Sequence, residues 1–281
     1  MSESEALKSQ RIQAALELAL DGGPTRDLFD LLERSSGHPG PRPNVDLAKA
    51  IGKRLASEAK RGLGLTEELL EHKNEYFVRV GLMALAARAS TRGDRTGALR
   101  LLHDKADETR KSARDAVIDA LESVLLARGD ELVPELAAFT DGFLHAFVVL
   151  EALTRRQVLD KLSDGEAVLA RIGEAFDLAD ASSRAAERAQ GVRLLREGLP
   201  KQITRTAQRF GETLAFLEPL LSRKRPETRA VLEATLSELR KTTLSDASTA
   251  RLRAMLAETA PPPRDPSRIV AGTRKRSRGR S

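Results

Sequence analysis

The chain has 281 residues, of which 41% are hydrophobic and only 3% aromatic, with no Cys, no Trp and a formal net charge of +6. It is long enough to bury a sizeable core, and an Ala-, Leu- and Arg-rich composition with few β-branched runs favours helix, where those side chains lose little rotamer freedom. An all-α fold is expected, and the missing cysteines exclude a disulfide framework, a thiolate nucleophile and a Cys-based zinc site.

Residues 3–21 form a first predicted helix, with Ile12, Ala15, Leu16, Leu18, Ala19 and Leu20 supplying its apolar face. The leading segment MSESEALKSQ lacks the basic-then-apolar pattern of a signal peptide, so a cytoplasmic protein is expected. Gly22-Gly23-Pro24 ends this helix, Thr25 to Arg34 forms a second, and Ser35 to Asn44 (SSGHPGPRPN) is the longest internal breaker. Asn44 is a good N-cap for a helix from about Val45 to Lys60, which Gly62 and Gly64 are expected to close. These helices make up an N-terminal unit of residues 1–64.

From Thr66 a six-residue word recurs: VGLMAL (80–85), AVIDAL (116–121), VVLEAL (148–153) and AVLEAT (230–235). The second copy places Ala113, Ala116, Val117, Ala120, Leu121, Val124 and Leu125 on one helical face. The helices over 74–90, 108–127 and 142–158 are predicted to lie side by side as inner helices. Small residues at Gly81, Ala84, Ala116, Ala120 and Ala152 would let their neighbours approach closely. Asp94 to Lys105, Asp130 to Phe139 and Glu166 to Phe176 would be the outer partners. Phe143 to Leu153 (FLHAFVVLEAL) has only His145 and Glu151 as polar residues, and is expected to be enclosed on every side, Phe147 included. It is too short to span a bilayer, and no membrane role is expected. A helical-pair period in the thirties is the pattern of a solenoid.

Glu108 to Val124 (ETRKSARDAVIDALESV) and Asn74 to Ala89 (NEYFVRVGLMALAARA) resemble the second helix of a HEAT repeat, each with an arginine near its start. The resemblance covers roughly residues 66–240. It implies a HEAT-like α-solenoid of antiparallel helix pairs over 65–258, with a concave recognition surface and no implied reaction. A family of DNA glycosylases built on HEAT-like repeats is similar in architecture, but its sites depend on tryptophan. Here Trp is absent and the single Tyr76 lies in the acidic half.

Charge is unevenly distributed. Residues 1–180 carry 25 basic and 31 acidic side chains, residues 181–258 carry 15 and 9, and residues 259–281 carry seven and one. This polarity points to partners of opposite charge at the C-terminal end. Pro200 is expected at the first turn of a helix on which Lys201, Arg205 and Arg209 share a face. Arg184 and Arg188 form a second i, i+4 pair, and Arg223-Lys224-Arg225 a basic loop. The final helix, Ser245 to Glu258, precedes a proline- and arginine-rich tail that is expected to be disordered. Its cations include Arg274, Lys275, Arg276, Arg278 and Arg280.

No Walker loop, GxGxxG or GxSxG elbow is present, and no catalytic residue or cofactor is expected. The four histidines, His38, His72, His103 and His145, form no HxxxH or HExxH pair, so no metal site is expected and His145 is predicted to be a satisfied core residue. A non-enzymatic nucleic-acid-associated protein, in which the basic residues of the C-terminal third and tail contact phosphates, is the first expectation. A scaffold that grips an acidic protein partner is the second, and a glycosylase-like repair protein the third.

Overall fold

The computed structural model describes residues 3–37, 40, 42–91, 95–242, 244 and 246–259. The basic tail therefore lies outside the described residues, as does His38. Every regular element among those described is helical. They are α1 (Glu3–Leu20), α2 (Arg26–Ser35), α3 (Val45–Ser57), α4 (Ala59–Glu71), α5 (Glu75–Ala89), α6 (Arg95–Ala106) and α7 (Lys111–Arg128). Two 3₁₀ segments, Gly129–Glu131 and Val133–Asp141, lead to α8 (Phe143–Leu153), α9 (Arg156–Lys161) and α10 (Gly165–Asp180). A third, Ala186–Arg188, precedes α11 (Gln190–Arg209), α12 (Thr213–Leu220), α13 (Pro226–Leu239) and α14 (Asp246–Glu258). None of these helices is long and apolar enough to cross a membrane.

Side chains start several of the helices. Asn44 accepts from the Leu47 N–H at 3.1 Å, Asn74 from Tyr76 at 2.9 Å and Asp164 from Ala167 at 2.9 Å, each satisfying a donor the helix leaves open. Gly62 and Gly64 do not end a helix. The break falls at Glu58, and α4 runs through both glycines. A Cβ at Gly62 would overlap the carbonyl oxygen of Leu55, so this glycine permits a tight α3–α4 corner instead of terminating the chain's helix.

Packing follows a simple order. α3 lies against α5, α5 against α7, α7 against α8, α8 against α11 and α11 against α13. The three helices carrying the first copies of the repeated word are therefore consecutive, with α7 in contact with both others. The other elements pack on members of this row: α4 on α3 and α5, α6 on α5 and α7, segment 133–141 on α8 and α10, and α10 on α8 and α11.

Charged pairs tie the row together. Asp119 of α7 binds Arg79 of α5 and Arg155, just past α8, and Glu122 of α7 binds Arg155 as well. On the next interface, Glu151 of α8 accepts from Gln202 of α11 at 2.9 Å and lies 3.5 Å from Arg205.

The most enclosed helix is α5, not α8. Nearly every side chain of α5 is buried, and it contributes to both apolar clusters of the molecule, one built from α1 to α5 and the other running from α4 to α14. In α8, Phe143, His145, Phe147 and Glu151 are only half-buried. The predicted helix over 142–158 also stops early. Thr154 turns its hydroxyl back onto the Leu150 carbonyl at 2.7 Å, Arg155 is extended, and α9 begins anew.

Candidate nucleic-acid interface

Helix α11 carries the basic stripe, but it starts ten residues earlier than expected, with Pro200 in its interior. A mid-helix proline loses a backbone bond and costs about 3 kcal/mol. Burial of Leu195, Leu199, Ile203 and Ala207 along one face holds the helix despite it.

Lys201, Arg205 and Arg209 recur at i, i+4 and i+8 on this helix, yet they serve two grooves. Arg205 and Arg209 join Arg156 of α9 around a groove of about 350 Å³, lined also by Leu159, Asp160 and Gln208. Arg209 is anchored there: its Nε donates to the Leu159 carbonyl at 3.2 Å and an Nη to that of Leu162 at 3.1 Å. Those are open carbonyls at the end of α9, where a cation is favoured. Arg156 is 94% exposed and stands 3.7 Å from Asp160. Three guanidiniums thus share one groove with a single carboxylate. Lys201 faces the other side, in a groove of about 470 Å³ between α11 and α13 that also holds Glu197, Glu227 and Glu238.

The remaining predicted cations separate into two kinds. Arg184, Arg188 and Lys224 are exposed, but Arg184 lies in a turn and Arg188 in a 3₁₀ segment, so they do not form a helical i, i+4 pair. Arg223 and Arg225 are spent internally. Arg223 binds Asp177 at 2.6 Å and Asp180 at 2.8 Å; Arg225 binds Glu187, the Asp180 carbonyl and, at 2.7 Å, the Ser182 carbonyl. Arg196 completes the cluster through Glu187, Ser182 Oγ at 2.7 Å and the Ala179 carbonyl at 2.9 Å. The Arg196 hydrogen bond, with Ser182 and Arg225 behind it, holds the Glu187 carboxyl down at about 2. This basic loop pins α13 to the end of α10. The tail residues Arg274, Lys275, Arg276, Arg278 and Arg280 lie outside the described residues.

Arg156 was absent from the sequence expectation, although the Arg155-Arg156 pair marks the spot. Tyr76 is buried, with its hydroxyl on the Asn44 carbonyl at 2.9 Å, and so acts in the core. Two of the histidines, far apart in sequence, meet in the fold. His103 and His145 come together, and with Asp141 they form the one group of His and acidic residues, among the described residues, whose donor atoms could converge on a metal ion. The i, i+4 spacing of Asp141 and His145 is visible in the sequence, but nothing local ties His103 to them.

No protein-family model matches the chain, and no curated protein matches it.

Proposed function

We propose that this chain is a non-enzymatic, HEAT-like α-solenoid of antiparallel helix pairs that binds nucleic acid by phosphate contacts. The convergence of Arg156, Arg205 and Arg209 on one groove carries this reading, because guanidiniums suit phosphate oxygens and remain charged at any working pH. The solenoid part is supported by the row from α3 to α13, in which each helix packs on the next. Exposed Arg184, Arg188, Lys201 and Lys224 would extend the contact, together with the tail. Such contacts position a backbone without reading bases. The discriminating variant is Arg156→Glu combined with Arg205→Gln: it should weaken binding to duplex and leave the helical circular-dichroism signal unchanged. Unchanged affinity would count against the groove.

One observation favours the protein-scaffold reading instead. The groove between α11 and α13 has an apolar floor of Pro200, Ala230, Val231 and Ala234 beneath an acid-rich rim, which suits a peptide better than a phosphate. A partner captured by the wild-type chain and lost on Ala234→Arg, with no nucleic-acid shift, would support it.

A further inference from the structure

His103 on α6 and His145 on α8 stack with ring centroids 4.3 Å apart and planes 21° from parallel. Asp141, the last residue of the 3₁₀ segment, faces both. Its carboxylate oxygens lie 3.1 Å from His103 Nε2, and one of them lies 3.7 Å from His145 Nδ1. We propose that His103, Asp141 and His145 form a binding site for a zinc-class divalent transition-metal ion.

Spacing is the first ground. A tetrahedral ion with ligand bonds of about 2.0–2.1 Å separates adjacent donor atoms by about 3.4 Å. The two histidine–carboxylate separations, 3.1 and 3.7 Å, bracket that value, and all three donor atoms lie within 4.8 Å of one another. Two imidazole nitrogens with one carboxylate select borderline ions such as zinc over the oxygen-seeking magnesium and calcium.

An orphaned atom is the second ground. His145 Nδ1 is buried without a hydrogen-bond partner, whereas buried polar atoms in folded proteins are almost always paired. A Cβ at Gly142 would clash with the same nitrogen, so the glycine leaves room beside it. A metal ion would satisfy that lone pair. His103 is braced from behind by Phe139, which meets its ring edge-on at 5.0 Å, and its Nδ1 lies 3.8 Å from Asp104, a charge contact longer than a hydrogen bond.

The three ligands come from α6, from segment 133–141 and from the first turn of α8, so the ion would clamp three elements of the fold. Asp141 is 59% exposed, and a fourth position on its side is open to water.

Titration of chelator-treated full-length chain with Co²⁺, followed by its visible absorption, and with Zn²⁺, followed by calorimetry, tests the site. One equivalent of each should bind, with the intense absorption of a tetrahedral cobalt centre. Zn²⁺ should raise the melting temperature. Asp141→Asn alters an exposed side chain and should weaken binding about tenfold or more, as should His145→Asn. The site is overturned if wild-type chain takes up no stoichiometric Co²⁺ or Zn²⁺, or if both Asp141→Asn and His145→Asn bind as wild type does. The wild-type titration decides even where a variant folds poorly.

Discussion

Arg155 lies 2.8 Å from Asp119, and the same Asp119 carboxylate also holds Arg79, so one acid on α7 fastens the helices on both sides of it. Arg79 has only 6% of its side chain exposed. Removing the acid would leave a buried guanidinium without its counter-charge. Asp119→Ala should therefore cost about 3 kcal/mol, the low end for breaking a buried pair, since Arg155 keeps Glu122 and some water. Urea melts check this. Arg79→Leu in the same chain should recover part of the loss, and additive losses would contradict the coupling.

Two glycines two residues apart on α4, on nearly opposite faces of the helix, should respond in opposite directions. Gly62→Ala gains about 1 kcal/mol of helix propensity, but its methyl meets the Leu55 carbonyl, and overpacking against backbone costs about 1–3 kcal/mol. Gly64 is exposed with nothing near its Cβ position, so Gly64→Ala should stabilise by about 0.5–1 kcal/mol. Thermal melts that rank Gly62→Ala above wild type would refute the tight corner.

Stability should fall in acid for an identifiable reason. Hydrogen bonds from Arg196 to Glu187 and from Arg110 to Glu108 lower both carboxyls from 4.5 to about 2. A depressed carboxyl contributes stability that is complete above its unfolded value and is lost as pH falls toward its folded value. The urea midpoint should thus decline between pH 4.5 and pH 2. Glu187→Gln should be less stable than wild type at pH 7 and should decline less. A wild-type midpoint that is flat across this window would contradict the assignment.

Phe176 and Phe147 should respond differently to truncation. Phe176 on α10 is fully enclosed, and Phe176→Ala should cost about 3–5 kcal/mol. Phe147, half-buried beside Gly198, should cost clearly less in the same denaturant melts. Equal losses would place Phe147 in the core, as its sequence context implied.

The helical row was legible where apolar spacing carries it. The repeated word marks α5, α7, α8 and α13, because Ala and Leu at helical intervals leave a pattern. Helix α11 hid from that reading. Its buried Thr204 and Thr206 satisfy their hydroxyls on the Pro200 and Gln202 carbonyls at 2.7 and 2.9 Å, so core positions there look polar. Pro200 added a false start. The candidate site was legible only in part, because charge on a side chain says nothing of its partner. Arg223 finds Asp177 and Asp180 more than 40 residues upstream, and Arg225 finds Glu187 at 38. The same long-range closure joins His103 to His145, which no local motif records.

Binding of labelled duplex DNA to the full-length chain, measured by fluorescence anisotropy across graded salt, tests the proposed function most directly. The account predicts binding at low salt, with log K falling linearly against log salt at a slope of about −0.9 per phosphate contact and little preference among sequences. Replacing exposed Arg156, Arg184, Arg188 and Lys201 by Glu should weaken binding and flatten the slope. Failure of the wild-type chain to shift duplex or single-stranded nucleic acid at about micromolar concentration and low salt, below the usual non-specific range, would contradict it.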